Sequence, residues 1–292
     1  MFNKKLAIVG ASGAVGRVFL ELLDEKYPGK KDLYLVASKR SAGNKMSCGD
    51  EEFVIQDIEN FNFSNVDIAF FSAGAKTAEK YAPLAVSSGC TVIDNSSHFR
   101  THEDKLLIVP EVNSKDLCNF ESPGIISNPN CSTAQLVVAL KPIHDLFLIK
   151  RVDVASYQSV SGTGKEGIDE LIEQTKKFLN DEDIHPKVYG AQIAFNVIPA
   201  GNILENNYTD EEIKMSFETN KILDKDIKLS ATCSRVPVLY GHSLAVHVET
   251  EKEINLDLLI QKIKDQKGLD FFDSQDFTSP NAVNNAEGKL SL

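Results

Sequence analysis

The run Leu6-Ala-Ile-Val9, followed at once by Gly10-Ala-Ser-Gly-Ala-Val-Gly16, narrows the fold more than any other stretch of this chain. Four consecutive apolar residues suit a parallel strand buried on both faces. The glycine turn leads into a helix, where Val15, Val18, Phe19, Leu22 and Leu23 recur at helical spacing up to Tyr27-Pro-Gly29. Strand, glycine turn and helix in that order open an α/β unit. Glycines there let main-chain N–H groups approach a pyrophosphate at the helix N-terminus. The spacing is G-x-x-G-x-x-G rather than G-x-G-x-x-G, and such a turn also joins a strand to a helix with no ligand at all, so alone it leaves both readings open.

Later segments extend the same sheet. Leu33 to Ala37 reads as a second strand, and Ser38-Lys39-Arg40-Ser41 follows where an NAD-specific protein more often carries an acidic residue for the ribose 2′-hydroxyl. Ser38, Arg40 and Ser41 suit a 2′-phosphate and favour NADP over NAD, although a solvated loop charge also accounts for Arg40. Asp67 to Phe71 and Thr91 to Asp94 read as further buried strands. A crossover helix over Ala75 to Ser88 joins them, with Tyr81, Leu84 and Ala85 on its buried face. Ligands of open α/β sheets sit at strand C-termini, so Ser72 and Gly74 would face the cofactor. Arg100 lies near the same crest and offers a planar fork of donors to phosphate or carboxylate; His98 and His102 beside it receive no role. Leu106 to Val109 and Gly124 to Ser127 supply more strand.

The chain then reaches Ser127-Asn-Pro-Asn-Cys-Ser132 and a helix from Ser132 to Leu140 that is expected to stop at Lys141-Pro142. Cys131 falls at the helix N-terminus, where the dipole and unpaired N–H groups stabilise a thiolate. A small buried cysteine fits the position equally well. Arg151 to Val160 reads as a strand built on Val152, Val154 and Tyr157, ahead of the turn Ser161-Gly-Thr-Gly164. The next helix carries Ile168, Leu171, Ile172, Thr175 and Leu179 on one face, fit to cover a sheet or a second subunit. Thr209 and Glu212 have capping-box spacing. Further on, Arg235 and His242 flank a stretch bent by Pro237 and Gly241; a histidine so placed, in a chain with a candidate nucleophile, is an acid/base candidate.

Composition removes other function classes. There are 42 acidic and 31 basic residues in 292, a formal charge of −11 with no Lys/Arg run, which argues against nucleic acid. The five cysteines are scattered, without a CxxC pair or histidines at ligand spacing, so no metal is expected and a reducing compartment is. Met-Phe-Asn-Lys-Lys before Leu6 is too short for a signal peptide or a span, so the expectation is a cytoplasmic protein with no membrane partner.

Gly10 to Gly16, Ser127 to Ser132, and Cys233-Ser-Arg-Val followed after four residues by Gly-His-Ser243 together make the chain resemble the aspartate-β-semialdehyde dehydrogenase family, from about Leu6 to about Asp265. The resemblance implies an α/β fold: a Rossmann-type parallel-sheet cofactor domain over residues 1–130, and an α+β catalytic and dimerisation domain with a mixed sheet over 131–292. It implies Cys131 as nucleophile, His242 as acid/base and Gln158 as a substrate-orienting residue. Arg235 would hold the substrate carboxylate and Arg100 the phosphate, with Glu211, Lys214 and Asn130 in the same site. NADP would lie on Gly10, Ser12, Gly13, Ala14 and Val15, with Ser161 and Gly162 contributing. The implied reaction is NADPH-dependent reductive dephosphorylation of L-aspartyl 4-phosphate to the semialdehyde. It runs through a Cys131 thioester, with His242 protonating the thiohemiacetal oxygen, and serves lysine, diaminopimelate, threonine and methionine biosynthesis. A homodimer is implied as well. Family members continue with a strand and a long helix that returns to the cofactor domain, whereas this sequence runs through Thr278-Ser-Pro-Asn and ends at Leu292, so that helix is expected to be missing. An N-acetyl-γ-glutamyl-phosphate reductase-like enzyme and a truncated inactive homologue are the alternatives.

Overall fold

The computed structural model describes residues 4–29, 31–272 and 280–286. Thr278, Ser279 and residues 287–292 of the closing stretch, and with them the expectation about a closing helix, lie outside the described residues. The chain divides into two compact units, residues 1–108 with 114–129, and residues 109–113 with 130–292.

The first unit is built around β1 (Leu6–Val9), buried at all four positions. Its strands and helices follow as α1 (Ala14–Lys26), β2 (Leu33–Ala37), β3 (Lys45–Cys48), β4 (Glu51–Asp57), β5 (Ile68–Phe71), α2 (Ala75–Ser87), β6 (Thr91–Asp94), β7 (Leu106–Leu107) and β8 (Ile125–Ser127). The sheet order is β3-β4-β2-β1-β5-β6-β8-β7. Every neighbouring pair is parallel except the edge hairpin β3/β4, which the sequence reading did not anticipate. Its strands are rich in charge and partly exposed, so no continuous apolar run marks them. From β1 the chain goes to β2 on one side and later to β5 on the other. That reversal opens a crevice at the C-terminal ends of β1 and β5.

Each helix buries part of the face that periodicity suggested, Leu23 with Leu20 on α1 and Ala85 on α2, but small residues take the closest approach. On α1 the buried positions are Gly16, Leu20 and Leu23, while Val15 and Val18 are 47% and 51% exposed. A Cβ on Gly16 would lie 2.5 Å from the Gly10 carbonyl oxygen and 2.7 Å from Ala11 Cα, so the helix presses onto its own entry turn there. On α2 the buried face is Ala78, Ala82 and Ala85; Leu84 points outward and Tyr81 is only partly covered. Close approach selects small side chains at these contact points, and this turns Val15, Val18 and Leu84 outward.

The second unit contains α3 (Pro110–Asn113), α4 (Cys131–Phe147), β9 (Ile149–Gln158), α5 (Lys165–Leu179), β10 (Ile198–Pro199), α6 (Asp210–Ile222), β11 (Lys228–Arg235), β12 (Ser243–Thr250) and α7 (Leu256–Asp265). Its sheet is mixed, in the order β10-β11-β9-β12, with β11 parallel to β9 and both edges antiparallel. Leu136 and Leu140 of α4, Val152 and Val154 of β9, and Met215 of α6 share one core. Helix α4 runs straight through Pro142 instead of stopping there. Leu140, Pro142 and Phe147 are all buried, and that burial outweighs the one main-chain hydrogen bond a proline deletes. The helix ends at Leu148, whose φ of 57° breaks the spiral. On α5, Leu171 is buried as expected, but Ile172 and Leu179 are exposed. No helix among the described residues is long and apolar enough to cross a membrane.

Replacing Gly16 by alanine should destabilise the protein by about 1–3 kcal/mol, because the added methyl meets main chain that cannot swing aside. Urea unfolding of the variant beside the parent measures this; an unchanged midpoint would show that the glycine turn yields.

Candidate active site

The start of α4 is capped by Asn130. Its side-chain oxygen accepts the main-chain N–H groups of Ser132 (2.9 Å) and Thr133 (3.4 Å), capping the helix. Its Nδ2 donates to Glu211 at 2.8 Å, and its main-chain N–H donates to the carboxylate of Glu218 at 2.6 Å. Glu211 and Glu218 stand two turns apart on α6, a helix opened by the Thr209/Glu212 capping box with both of its hydrogen bonds formed. Cys131 is therefore placed at the first helical position with its thiol exposed.

His242 meets it from the loop between β11 and β12. That loop is laced to the turn after β9 by Val160 N–H to Val238 O (2.9 Å) and Ser161 N–H to Leu239 O (3.1 Å). The sulfur of Cys131 and Nε2 of His242 are 3.1 Å apart. On the far side of the ring, Ser159 N–H donates to Nδ1 at 3.0 Å. A nitrogen that accepts a hydrogen bond carries no proton, so the neutral ring has its proton on Nε2, aimed at the sulfur. Burial, and then the positive charge of Arg235, push the His242 pKa down to about 4. The near-neutral value that its residue type suggests does not apply here.

Arg235 ends β11, opposite Gln158 in the parallel register with β9. It is only 7% exposed; one terminal nitrogen donates to Ser159 O at 2.8 Å, while Nε is buried without a partner among the described residues. An unpaired buried guanidinium N–H is costly unless a ligand takes it, and a carboxylate is the natural acceptor. A Cβ on Gly162 would sit 2.9 Å from that guanidinium, so a side chain there would crowd Arg235, while the His242 ring at 3.5 Å would be in ordinary contact. Gln158 is fully buried and donates to Ser156 Oγ at 3.3 Å. Lys214 donates to Asp210 and Glu211 at 2.9 Å each. Burial opposes its charge, but the two carboxylates outweigh this and its pKa is raised, so Lys214 is a fixed cation.

The remaining sequence candidates lie in the first unit. Gly10, with φ of +90°, passes so close to β5 that a Cβ would be 2.9 Å from Ala73 N, and Ser72 Oγ donates back to Val9 O at 3.1 Å. Gly13 caps α1 with no side-chain bond, which leaves the N–H groups of the first turn, at Ala14 and Val15, facing outward for an anion. Ser12 and Ser41 hydroxyls are 3.2 Å apart, which joins the glycine turn to the loop bearing Ser38 and the exposed Arg40. Gly74 starts α2 with a φ of +85° and open space around it. This cradle fits a dinucleotide. Arg100 is buried and donates to Asn95 O at 3.0 Å; beside it Asp94 accepts from Ser96 N and Oγ, and burial raises its pKa. Among the described residues no group of three or more His, Cys, Asp or Glu side chains could hold a metal ion.

In the second unit, then, Cys131, His242, Arg235, Asn130, Glu211, Lys214 and Gly162 form one connected cluster. Sequence reasoning missed two residues hydrogen-bonded to it. Glu218 was legible only as a glutamate two turns beyond Glu211, and Ser159 only as one more hydroxyl at a strand end.

A doubly wound α/β unit with a glycine turn, and a second unit that presents a thiol and an imidazole at a helix start, fit a dehydrogenase of the NAD(P) class. The family described as semialdehyde dehydrogenase, NAD binding domain, matches residues 5–120, and semialdehyde dehydrogenase, dimerisation domain, matches residues 140–291. The aspartate-semialdehyde dehydrogenase of Shewanella sp. strain DB6705 is 47% identical over 285 residues, 97% of this chain and 84% of that protein. The crystal structure of aspartate semialdehyde dehydrogenase II from Vibrio cholerae complexed with ASA is 45% identical with a TM-score of 0.95, covering 99% of this chain and 86% of that one. The more distant Candida albicans enzyme, solved with NADP, is 25% identical with a TM-score of 0.72, covering 96% of this chain and 84% of that one. The chain belongs to the semialdehyde dehydrogenase family.

With its pKa near 4 in the folded chain, His242 binds a proton there less readily than in the unfolded chain, where the ordinary value is 6.5. Stability should therefore rise with pH across that window and gain nothing from this group above it. Imidazole resonances followed by NMR between pH 3 and 8 should show His242 unprotonated at about pH 6. A midpoint near its ordinary value would remove the neutral-ring assignment.

Proposed function

We propose that the chain reduces L-aspartyl 4-phosphate to L-aspartate 4-semialdehyde and phosphate, using NADPH, through a thioester on Cys131. The observation that carries this is the 3.1 Å approach of Cys131 Sγ to His242 Nε2, with the unpartnered Nε of Arg235 in the same cluster. Arg235 takes the substrate's α-carboxylate as a planar fork and so sets the reach from that carboxylate to the sulfur. Gln158, opposite it in the sheet, belongs to the same substrate-orienting wall.

The thiolate of Cys131 accepts the Nε2–H hydrogen bond of His242 and is favoured by the first turn of α4. Its sulfur attacks the acyl carbon and the phosphate departs with the C–O electron pair, leaving the thioester; Arg100 and the cationic Lys214 balance the leaving charge. The bound nicotinamide supplies a hydride. As negative charge builds on the former carbonyl oxygen, His242 turns its Nε2–H from sulfur to oxygen and holds it as a hydrogen-bond donor. A neutral imidazole suits that role, since it need not be a proton reservoir. Collapse of the thiohemiacetal breaks the C–S bond, frees the aldehyde and returns the thiolate.

For the cofactor, the glycine turn, the open first turn of α1, Ser72 and Gly74 receive the dinucleotide, with Ser161 and Gly162 on the nicotinamide side. Ser38, Arg40 and Ser41 read the 2′-phosphate. A homodimer is supported by the match to a dimerisation domain and by exposed apolar residues of the second unit, among them Phe178, Phe195, Val197, Ile203 and Phe217. All five cysteines are thiols, which fits a reducing cytoplasm.

Phosphate-dependent reduction of NADP by aspartate semialdehyde, run beside N-acetylglutamate semialdehyde, tests the proposal. Turnover should be selective for the first substrate and absent in Cys131→Ala, and His242→Gln should cost roughly 10²-fold or more. Full activity without the thiol would sink the thioester route. Arg40→Ala should weaken NADP binding more than NAD binding in a fluorescence titration, and equal losses would remove the 2′-phosphate reading.

A further inference from the structure

Ser159 touches the catalytic cluster at three atoms. Its main-chain N–H donates to His242 Nδ1 at 3.0 Å, its carbonyl oxygen accepts from Arg235 at 2.8 Å, and its hydroxyl lies 3.2 Å from the same Nδ1. Beyond it, the hydroxyl of Ser161 is 2.9 Å from that of Ser159. We infer that Ser159 and Ser161 are positioning residues, whose hydroxyls form a one-way hydrogen-bond chain that reinforces the Ser159 main-chain donor in holding His242 in the tautomer bearing its proton on Nε2.

The direction of the chain follows from one fixed donor. The Ser159 main-chain N–H can only donate, so Nδ1 must accept. With Nδ1 bare, the Ser159 hydroxyl has to point its hydrogen at the ring; otherwise two lone pairs would face each other at 3.2 Å. A serine hydroxyl has a single hydrogen, so Ser159 Oγ can take part in the 2.9 Å contact only as acceptor, and Ser161 is the donor. Donors therefore run from Ser161 to Ser159 to Nδ1, and then from Nε2 to the sulfur of Cys131. With its hydrogen committed, Ser161 presents only lone pairs to the 680 Å³ cavity that it lines together with His242, Gln135 and Ser243. A ligand N–H donor entering that cavity would polarise the whole chain in the direction it already has. The plain alternative is that these serines merely fill a polar turn.

The tautomer does not depend on the reaction, whereas its catalytic consequence rests on the cysteine–histidine reading above, and one set of variants separates the two. Nitrogen-15 NMR of the His242 ring, in the full chain without added ligand, should show the proton on Nε2 alone in the parent. Ser159→Ala should show an added Nδ1–H population and Ser161→Ala a smaller one, with Ser159→Thr, which keeps the hydroxyl, like the parent. Turnover should fall about tenfold in Ser159→Ala at nearly unchanged KM and return in Ser159→Thr; the remaining main-chain donor keeps this below the loss seen when an orienting carboxylate is removed. A parent-like ring spectrum in Ser159→Ala overturns the inference, whether or not turnover falls. If Ser159→Ala fails to fold, Ser161→Ala decides alone, and a parent-like spectrum there overturns it. A shifted tautomer in a chain whose parent does not oxidise aspartate semialdehyde would uphold the positioning role and refute the proposed reaction.

Discussion

Asn130 commits three polar groups to one task, and the second unit is arranged around that commitment. Its side-chain oxygen caps the start of α4, its Nδ2 reaches Glu211, and its main-chain N–H reaches a Glu218 carboxylate only 1% exposed. A buried carboxylate is tolerated when donors surround it, and here a donor comes from the residue directly before Cys131. The register of α6 against α4 is thereby the same thing as the position of Cys131. The apolar packing of Met215 with Leu136 and Leu140 holds the two helices together behind it.

The second half of the site is set from the opposite side, through main chain. Ser159 sits at the end of β9, and its two backbone groups serve different partners, His242 through the N–H and Arg235 through the carbonyl. The bent stretch from Val236 to Gly241 folds back on residues 160 and 161 and delivers the ring. Gly241 adopts a φ of +81° there, with Ala282 and Ala286 filling the place a side chain would need. Arg235 then acts on the histidine twice, by fixing Ser159 and by its charge. The outcome is a neutral donor beside a sulfur, not a cationic acid. Lys214 is likewise held charged, by two carboxylates, so the cluster keeps Arg235 and Lys214 as cations and His242 as a neutral ring.

Much of this was legible in the chain. A buried strand, a glycine turn and a helix follow one another within Leu6 to Lys26, and local chemistry is enough to recognise them: glycine permits the positive φ at Gly10, and periodic apolar residues support the helix. The Thr209/Glu212 box is likewise sequence-local, because it joins groups within three residues; the Asn130 cap is equally local, although the sequence reading took Asn130 only as a substrate-site residue. The parts that could not be read are those where packing overrode local preference. Pro142 looks like a stop but lies between buried Leu140 and Phe147; Val15, Val18 and Leu84 look like core but turn outward because Gly16 and the alanines of α2 take the closest approach.

Residue type and order along the chain are enough to assign the α/β class, the glycine turn, the capped helix bearing Cys131 and the pairing of Arg235 with His242 as a motif, since each depends on short-range backbone chemistry. The state of the site follows from contacts made across long separations. His242 and Cys131 are 111 residues apart, Ser159 and His242 83, and Asn130 and Glu218 88. Burial, the Arg235 charge and the Ser159 donor exist only once those segments meet, so the neutral ring and its Nε2 proton belong to the folded chain and to no stretch of it.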